Sequence, residues 1–278
     1  MHKPPNNFSE TIDRLCVDAI KVLSMDAVQA ANSGHPGTPM ALAPVGYLLW
    51  TKHLKHSPTN PEWTNRDRFV LSVGHASMLI YSLLYLTGYE LSLEDLKKFR
   101  QWGSKTPGHP EVHHTPGVET TTGPLGQGVS NSVGMAVAER WLADRYNRDG
   151  YNLVDHHTYA LCSDGDLMEG VSHEVAEFAG HQRLGKLIWI FDDNKITIEG
   201  STDLTSSTDH ISRFESYRWH TVCVEDGNDL DQINEAIEQA KTETEKPSLI
   251  VLKTRTVSYT HLRAHETRHD LVCRLLLE

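Results

Sequence analysis

The sequence predicts an α/β fold with a mostly parallel sheet covered by helices on both faces. Two patterns predict it. Five apolar runs of strand length, Phe69–Val73, Tyr159–Cys162, Leu187–Phe191, Thr221–Val224 and Leu249–Leu252, are separated by stretches with helical spacing. The runs are apolar throughout rather than alternating, as strands covered on both faces are.

The elements follow in order. From Ser9, a plausible N-cap, the residues Ile12, Leu15, Ala19, Leu23, Ala27 and Ala30 recur every three or four positions until Gly34 stops the pattern, which predicts an amphipathic helix. Further helical patterns cover Val129–Tyr146, His173–Leu184 and Leu230–Thr242. Strands alternating with helices read as βαβ units, and sheets of that kind bind ligands in the loops beyond the carboxyl ends of their strands.

Composition limits the function classes. With 278 residues the chain suits one large α/β domain. A formal net charge of -11 argues against a general nucleic-acid binder or a binder of anionic membranes, since both need excess Lys and Arg, so any phosphate recognition must be local. Cys16, Cys162, Cys223 and Cys273 form no CxxC pair, which points away from a zinc site or a disulfide framework and fits a reducing cytoplasm. No stretch of about 18 apolar residues occurs and the first ten residues lack an apolar core, so neither a membrane span nor a signal peptide is expected.

The chemistry concentrates in loops. Tyr159–Cys162 runs into Ser163-Asp164-Gly165-Asp166 and then Glu169-Gly170, while Leu187–Phe191 ends in Asp192-Asp193-Asn194-Lys195-Ile196. Asp164 and Asn194 are 30 residues apart, the length of one βαβ crossover, so both can leave one edge of the sheet side by side. A carboxylate, an amide and a backbone carbonyl suit Mg²⁺ or Ca²⁺, which would complete its shell with phosphate oxygens and water. Either loop alone reads as an ordinary Asp/Asn/Gly turn; the pair favours a metal.

Gly123-Pro124-Leu125-Gly126-Gln127-Gly128 precedes a helix and lets a ring or phosphate approach the backbone. Three further turns hold histidines beside Gly or Pro: Ser33-Gly34-His35-Pro36-Gly37, Val73-Gly74-His75-Ala76 and Thr106-Pro107-Gly108-His109-Pro110. A sharp turn fixes the direction of an imidazole, which suits proton transfer near neutral pH. His2, His53, His56, His156 and His210 read as surface or structural residues.

The segments SGHPG, DRFVLSVGHAS, SKTPGHPE, GVETTTGPLGQG, SDGDLMEG and DDNKITIEG resemble the transketolase family in order and spacing over roughly residues 8 to 256. The resemblance implies the diphosphate-binding domain of the thiamine-diphosphate fold. It further implies a thiamine diphosphate cofactor and a divalent cation, Mg²⁺ or Ca²⁺, held by Asp164, Asn194 and the carbonyl of Ile196. His75 would contact the diphosphate, with Gly165 and Asn194 beside the cofactor, and Gly123, Pro124 and Leu125 would border the aminopyrimidine. His35 and His109 would face the reacting sugar, and Glu169 would join a carboxylate network near a dimer interface. The implied reaction moves a two-carbon glycolaldehyde unit from a ketose phosphate to an aldose phosphate in the pentose phosphate pathway, with the thiazolium ring as electron sink.

The family pattern is broken in three places. Val73 stands where the family usually has Asn, Ser163 where it usually has Gly, and from Val257 onward the chain reads unlike the family. The expected boundaries are therefore a diphosphate-binding domain at 1–256 and a tail without evolved role at 257–278, in which His261, His265 and His269 are spaced four apart. The family's pyrimidine-binding domain would have to come from elsewhere, in a site formed between two subunits of a homodimer. Three readings follow: part of a transketolase inactive by itself, the amino-terminal subunit of a split transketolase, or a non-catalytic metal and diphosphate module.

Overall fold

The computed structural model describes residues 10–197 and 200–255. Ser9, the expected N-cap, and the expected tail at 257–278 with its three histidines lie outside the described residues.

Five strands form one sheet: β1 (Arg68–Leu71), β2 (Thr158–Ser163), β3 (Leu187–Asp193), β6 (His220–Val224) and β7 (Ser248–Lys253). Their spatial order is β1-β2-β3-β7-β6 and every pairing is parallel. A separate two-residue ladder pairs β4 (Ile196–Thr197) with β5 (Gly200–Ser201) antiparallel. All five predicted strands form, each extended by one or two residues or shifted by as much.

Alternate residues of each strand supply two cores. Phe69, Leu71, Tyr159, Leu161, Ile188, Ile190, Ile250 and Leu252 point into one. Helices α1 (Glu10–Ala31), α3 (Ala43–Leu48), α4 (Ser77–Leu86) and α10 (Leu230–Thr242) cover it, and α2 (Gly37–Ala41) packs against α1 and α4. Val70, Ala160, Cys162, Trp189, Phe191, Leu249 and Val251 point into the other, under α6 (Gln127–Tyr146), α7 (Asp164–Met168), α8 (Gly170–His181) and α9 (His210–Ser216). The expected arrangement of helices on both faces is present. Each buried Leu or Ile contributes about 2 kcal/mol of transfer free energy, so the two cores together hold the sheet edge rigid.

Local chemistry sets several boundaries. The α10 helix starts where Asp229 accepts from the backbone N–H groups of Asp231 and Gln232, at 3.0 and 3.1 Å, and its Ile233, Ala236, Ile237 and Ala240 form the buried stripe. The α8 helix ends at His181 rather than at the expected Leu184, because the chain turns through Arg183 at φ +56°. Helix α4 is absent from the sequence reading. Eight of its ten residues are buried, so it lacks the polar face that makes a helix periodic in sequence. A short helix, α5 (Leu93–Lys97), is fixed by reciprocal bonds between Ser92 and Asp95. Among the described residues no helix is long and apolar enough to cross a membrane.

Candidate active site

The loops that leave the carboxyl ends of β1, β2 and β3 meet the glycine loop at the head of α6. Strand β1 leads into Ser72 and Val73, whose N–H groups both donate to the Leu161 carbonyl, at 2.9 and 3.2 Å. Gly74 follows, and a Cβ built there would lie 2.7 Å from the backbone N of Gly123, so the glycine loop rests directly on this turn. Thr122 ties the same loop to β1 by donating to the Leu71 carbonyl at 2.7 Å.

Three of the predicted imidazoles gather here. The rings of His35 and His75 meet edge to face with centroids 4.9 Å apart, and Thr38 Oγ1 lies 3.5 Å from His75 Nε2. The ring of His109 lies against Gly123, whose hypothetical Cβ would sit 3.2 Å from its Cγ. Helix α4 holds the His109 turn: Ser77 donates to the Gly108 carbonyl at 2.9 Å, and Tyr81 donates to those of Pro107 at 2.9 Å and His109 at 3.2 Å. The pKa of His109 is lowered, first by the partial burial of the ring, then by the Arg100 and His35 charges, against a raising effect of Glu111. Its neutral form is thereby favoured near pH 7.

The glycine loop reaches across to the β2 loop. A Cβ at Gly165 would lie 2.9 Å from Leu125 Cδ1, so Leu125 covers Gly165, while Pro124 is exposed on the loop. Glu169 is exposed, with its Cβ against Gly126, three residues along the loop from the Gly123 that meets His109.

Strands β2 and β3 are neighbours with Ser163 opposite Asp192, so Asp164 and Asn194 leave adjacent parallel strands at the same edge. Asp164 is buried, and its Oδ2 has no hydrogen-bond partner. Burial and then the charges of Asp193 and Asp192 push its carboxyl up to about 7. The neighbouring acids are partly answered: Asp193 pairs with Lys195 at 2.8 Å, and Asp192 accepts from Asn194 Nδ2 at 2.9 Å and from Thr254 Oγ1. Asn194 Oδ1 accepts from the N–H of Ile196 at 2.8 Å, and Lys195 between them sits at φ +61°. No group of three or more His, Cys, Asp or Glu side chains is gathered for a metal among the described residues. The expected donor set needs none, being one carboxylate, one amide and one carbonyl. An orphaned carboxylate oxygen in a cluster short of positive charge fits a divalent cation.

Sequence reasoning missed Asp166. Fully buried, its Oδ1 accepts from Ser72 Oγ at 2.7 Å and from the N–H of Gly126 at 2.9 Å, and its Oδ2 accepts from the N–H of Ser163 at 3.0 Å. One carboxylate thus ties the ends of β1 and β2 to the glycine loop. Its only signal was a second acid three residues after Ser163, where it closes a capping box. Of the two departures from the family pattern in this region, Ser163 Oγ lies 3.4 Å from the same carboxylate and Val73 is buried in the core.

An α/β domain with glycine loops, imidazoles and a cation-poor carboxylate at the carboxyl edge of a parallel sheet belongs to the class that receives an anionic cofactor there. The family described as "Transketolase, thiamine diphosphate binding domain" matches residues 12–270, and the chain belongs to that family. It is 62% identical over 247 residues to a transketolase of Halalkalibacterium halodurans, covering 89% of this chain and 37% of that protein. Against a transketolase of Bacillus subtilis the identity is 57% over 245 residues, covering 88% and 37%. A crystal structure of a transketolase variant from Pichia stipitis superposes with a TM-score of 0.89 at 49% identity, covering 92% of this chain and 38% of that one. The chain spans a little over a third of the length of these relatives.

Proposed function

We propose that this chain supplies the diphosphate-binding half of a transketolase active site. The complete enzyme would transfer a two-carbon glycolaldehyde unit from a ketose phosphate to an aldose phosphate. Relatives from Pichia stipitis have been solved as complexes with sedoheptulose-7-phosphate and xylulose-5-phosphate, which supports sugar phosphates as the substrate class. The observation that carries the reading is the orphaned, buried Oδ2 of Asp164, one strand away from Asn194.

In this reading Asp164, Asn194 and the Ile196 carbonyl hold Mg²⁺ or Ca²⁺, and the cation rather than a lysine cluster meets the diphosphate, which reconciles a phosphate ligand with an acidic chain. His75, Gly123, Pro124, Leu125 and Gly165 border the cofactor. His35 and His109 offer hydrogen bonds to oxygens of the sugar, where negative charge develops as the carbon–carbon bond breaks. Thiamine diphosphate, when bound, supplies the electron sink. Glu169 faces the pyrimidine-binding half, which a homodimeric partner or separate subunit contributes; the chain by itself does not turn over. The working compartment is the cytoplasm.

Calorimetry tests the binding step: thiamine diphosphate with Mg²⁺ should give a saturable heat on this chain, abolished by D164A and by N194A. A wild-type protein that gives no heat, or a D164A protein that binds as well as wild type, overturns the reading. Sugar transfer should appear only after a pyrimidine-binding domain is added.

A further inference from the structure

Arg100 has a role that neither the glycine nor the histidine motifs disclose. It is one of six non-glycine residues with positive φ among the described residues, at φ +60°. A long side chain held in the left-handed region is strained, and such strain persists where the surroundings over-determine it. Here they do. The Arg100 N–H donates to the Thr106 carbonyl at 2.9 Å, fixing the backbone at the start of the turn that ends in His109. The guanidinium then runs back along that turn, where a Cβ on Gly108 would lie 2.8 Å from Arg100 Nε. Its Nη1 donates to Ser33 Oγ, two residues before His35. The preceding residue completes the clamp: a Cβ on Gly34 would lie 3.0 Å from Phe99 Cε1, and the Arg100 Cζ sits 5.8 Å from that ring's centroid.

We propose that Arg100 is a positioning residue that locks the His35 turn and the His109 turn into one rigid pair. Ser33 and Arg100 are 67 positions apart in the chain, and a planar fork with fixed donors joins the two turns more tightly than a flexible ammonium could. Setting two catalytic imidazoles relative to one another is worth much in rate, since small misplacements weaken proton transfer steeply. Arg100 has a second effect through its charge. The charged and titratable groups facing His109 are Arg100, His35 and Glu111, and the cation opposes protonation of the ring. The inference rests on the transketolase reading for the roles of His35 and His109, though the clamp itself is geometry of this chain.

Histidine NMR titration of this chain tests it, with His109 and His35 assigned by signal loss in H109Q and H35Q. R100G accepts the left-handed backbone without strain and removes only the side chain, so its melting temperature should hold or rise. In R100G the His109 midpoint should move up and the His35 ring signals should shift. R100K should keep the His109 midpoint near wild type but still displace His35, and S33A should displace His35 alone. Wild-type behaviour of both rings in folded R100G overturns the proposal. If R100G does not fold, R100K decides: unmoved His35 signals overturn it equally. Calorimetry with thiamine diphosphate and Mg²⁺ on the wild-type protein reports on the parent reading separately, so silence there leaves the clamp result standing.

Discussion

The buried Asp166 carboxylate accepts a 2.9 Å hydrogen bond from the Gly126 N–H, joining the loop after β2 to the turn that starts α6. Burial raises the pKa of this carboxyl, and the donors Gly126, Ser72 and Ser163 act against that rise. Removing the carboxylate strands buried donors on three segments at once. D166A should lose about 3 kcal/mol of stability in urea unfolding, and calorimetry on the folded variant should show weaker cofactor binding as the glycine loop loses its register. A loss below about 1 kcal/mol would mean that the three loops hold together without it.

Acid should destabilise the domain through its buried and half-buried histidines. His53, His156 and His157 each have a pKa lowered to about 4, in every case first by burial and then chiefly by nearby Lys or Arg charges. In the unfolded chain they titrate near 6.5. Between those values the unfolded state binds more protons, so stability rises with pH. Their contribution is complete above about 6.5 and is lost as pH falls toward 4. Urea midpoints measured at pH 7, 5.5 and 4.5 should fall in that order, and H157Q should flatten part of the fall. A midpoint independent of pH across this window contradicts the burial of neutral imidazoles.

Arg218 carries backbone strain without visible return. It is exposed and sits at φ +68° after α9, with its N–H donating to the Glu215 carbonyl at 2.9 Å. Glycine adopts that conformation freely but gains entropy when unfolded, so R218G should stabilise by about 0.5–1 kcal/mol net. Differential scanning calorimetry should register a rise of about 2 °C. A fall would show that the Arg218 side chain makes a contact worth more than the strain.

The sheet was legible because strands buried on both faces cannot hide: Trp189, Phe191, Ile188 and Ile190 form one apolar run whatever the surroundings. The surface helix α10 was read to its termini for the complementary reason, one apolar stripe at helical spacing. Helix α4 failed because burial on all sides erases the periodicity. Among site residues, the turns carrying His35, His75 and His109 were legible as motifs, and the structure brings these rings around the glycine loop. Asp166 and Arg100 were not, since each acts by linking segments distant in sequence, and nothing in a linear string records which carboxylate caps which loop.

In the proposed site Asp164 and Asn194, leaving adjacent strands, share one divalent cation that bears the cofactor's phosphates. Mn²⁺ titration followed by electron paramagnetic resonance, with and without thiamine diphosphate, reads that shared ion. One Mn²⁺ per chain should bind, tightly only when the cofactor is present, and be lost in D164A and in N194A. Equal Mn²⁺ binding by wild type and D164A would contradict it.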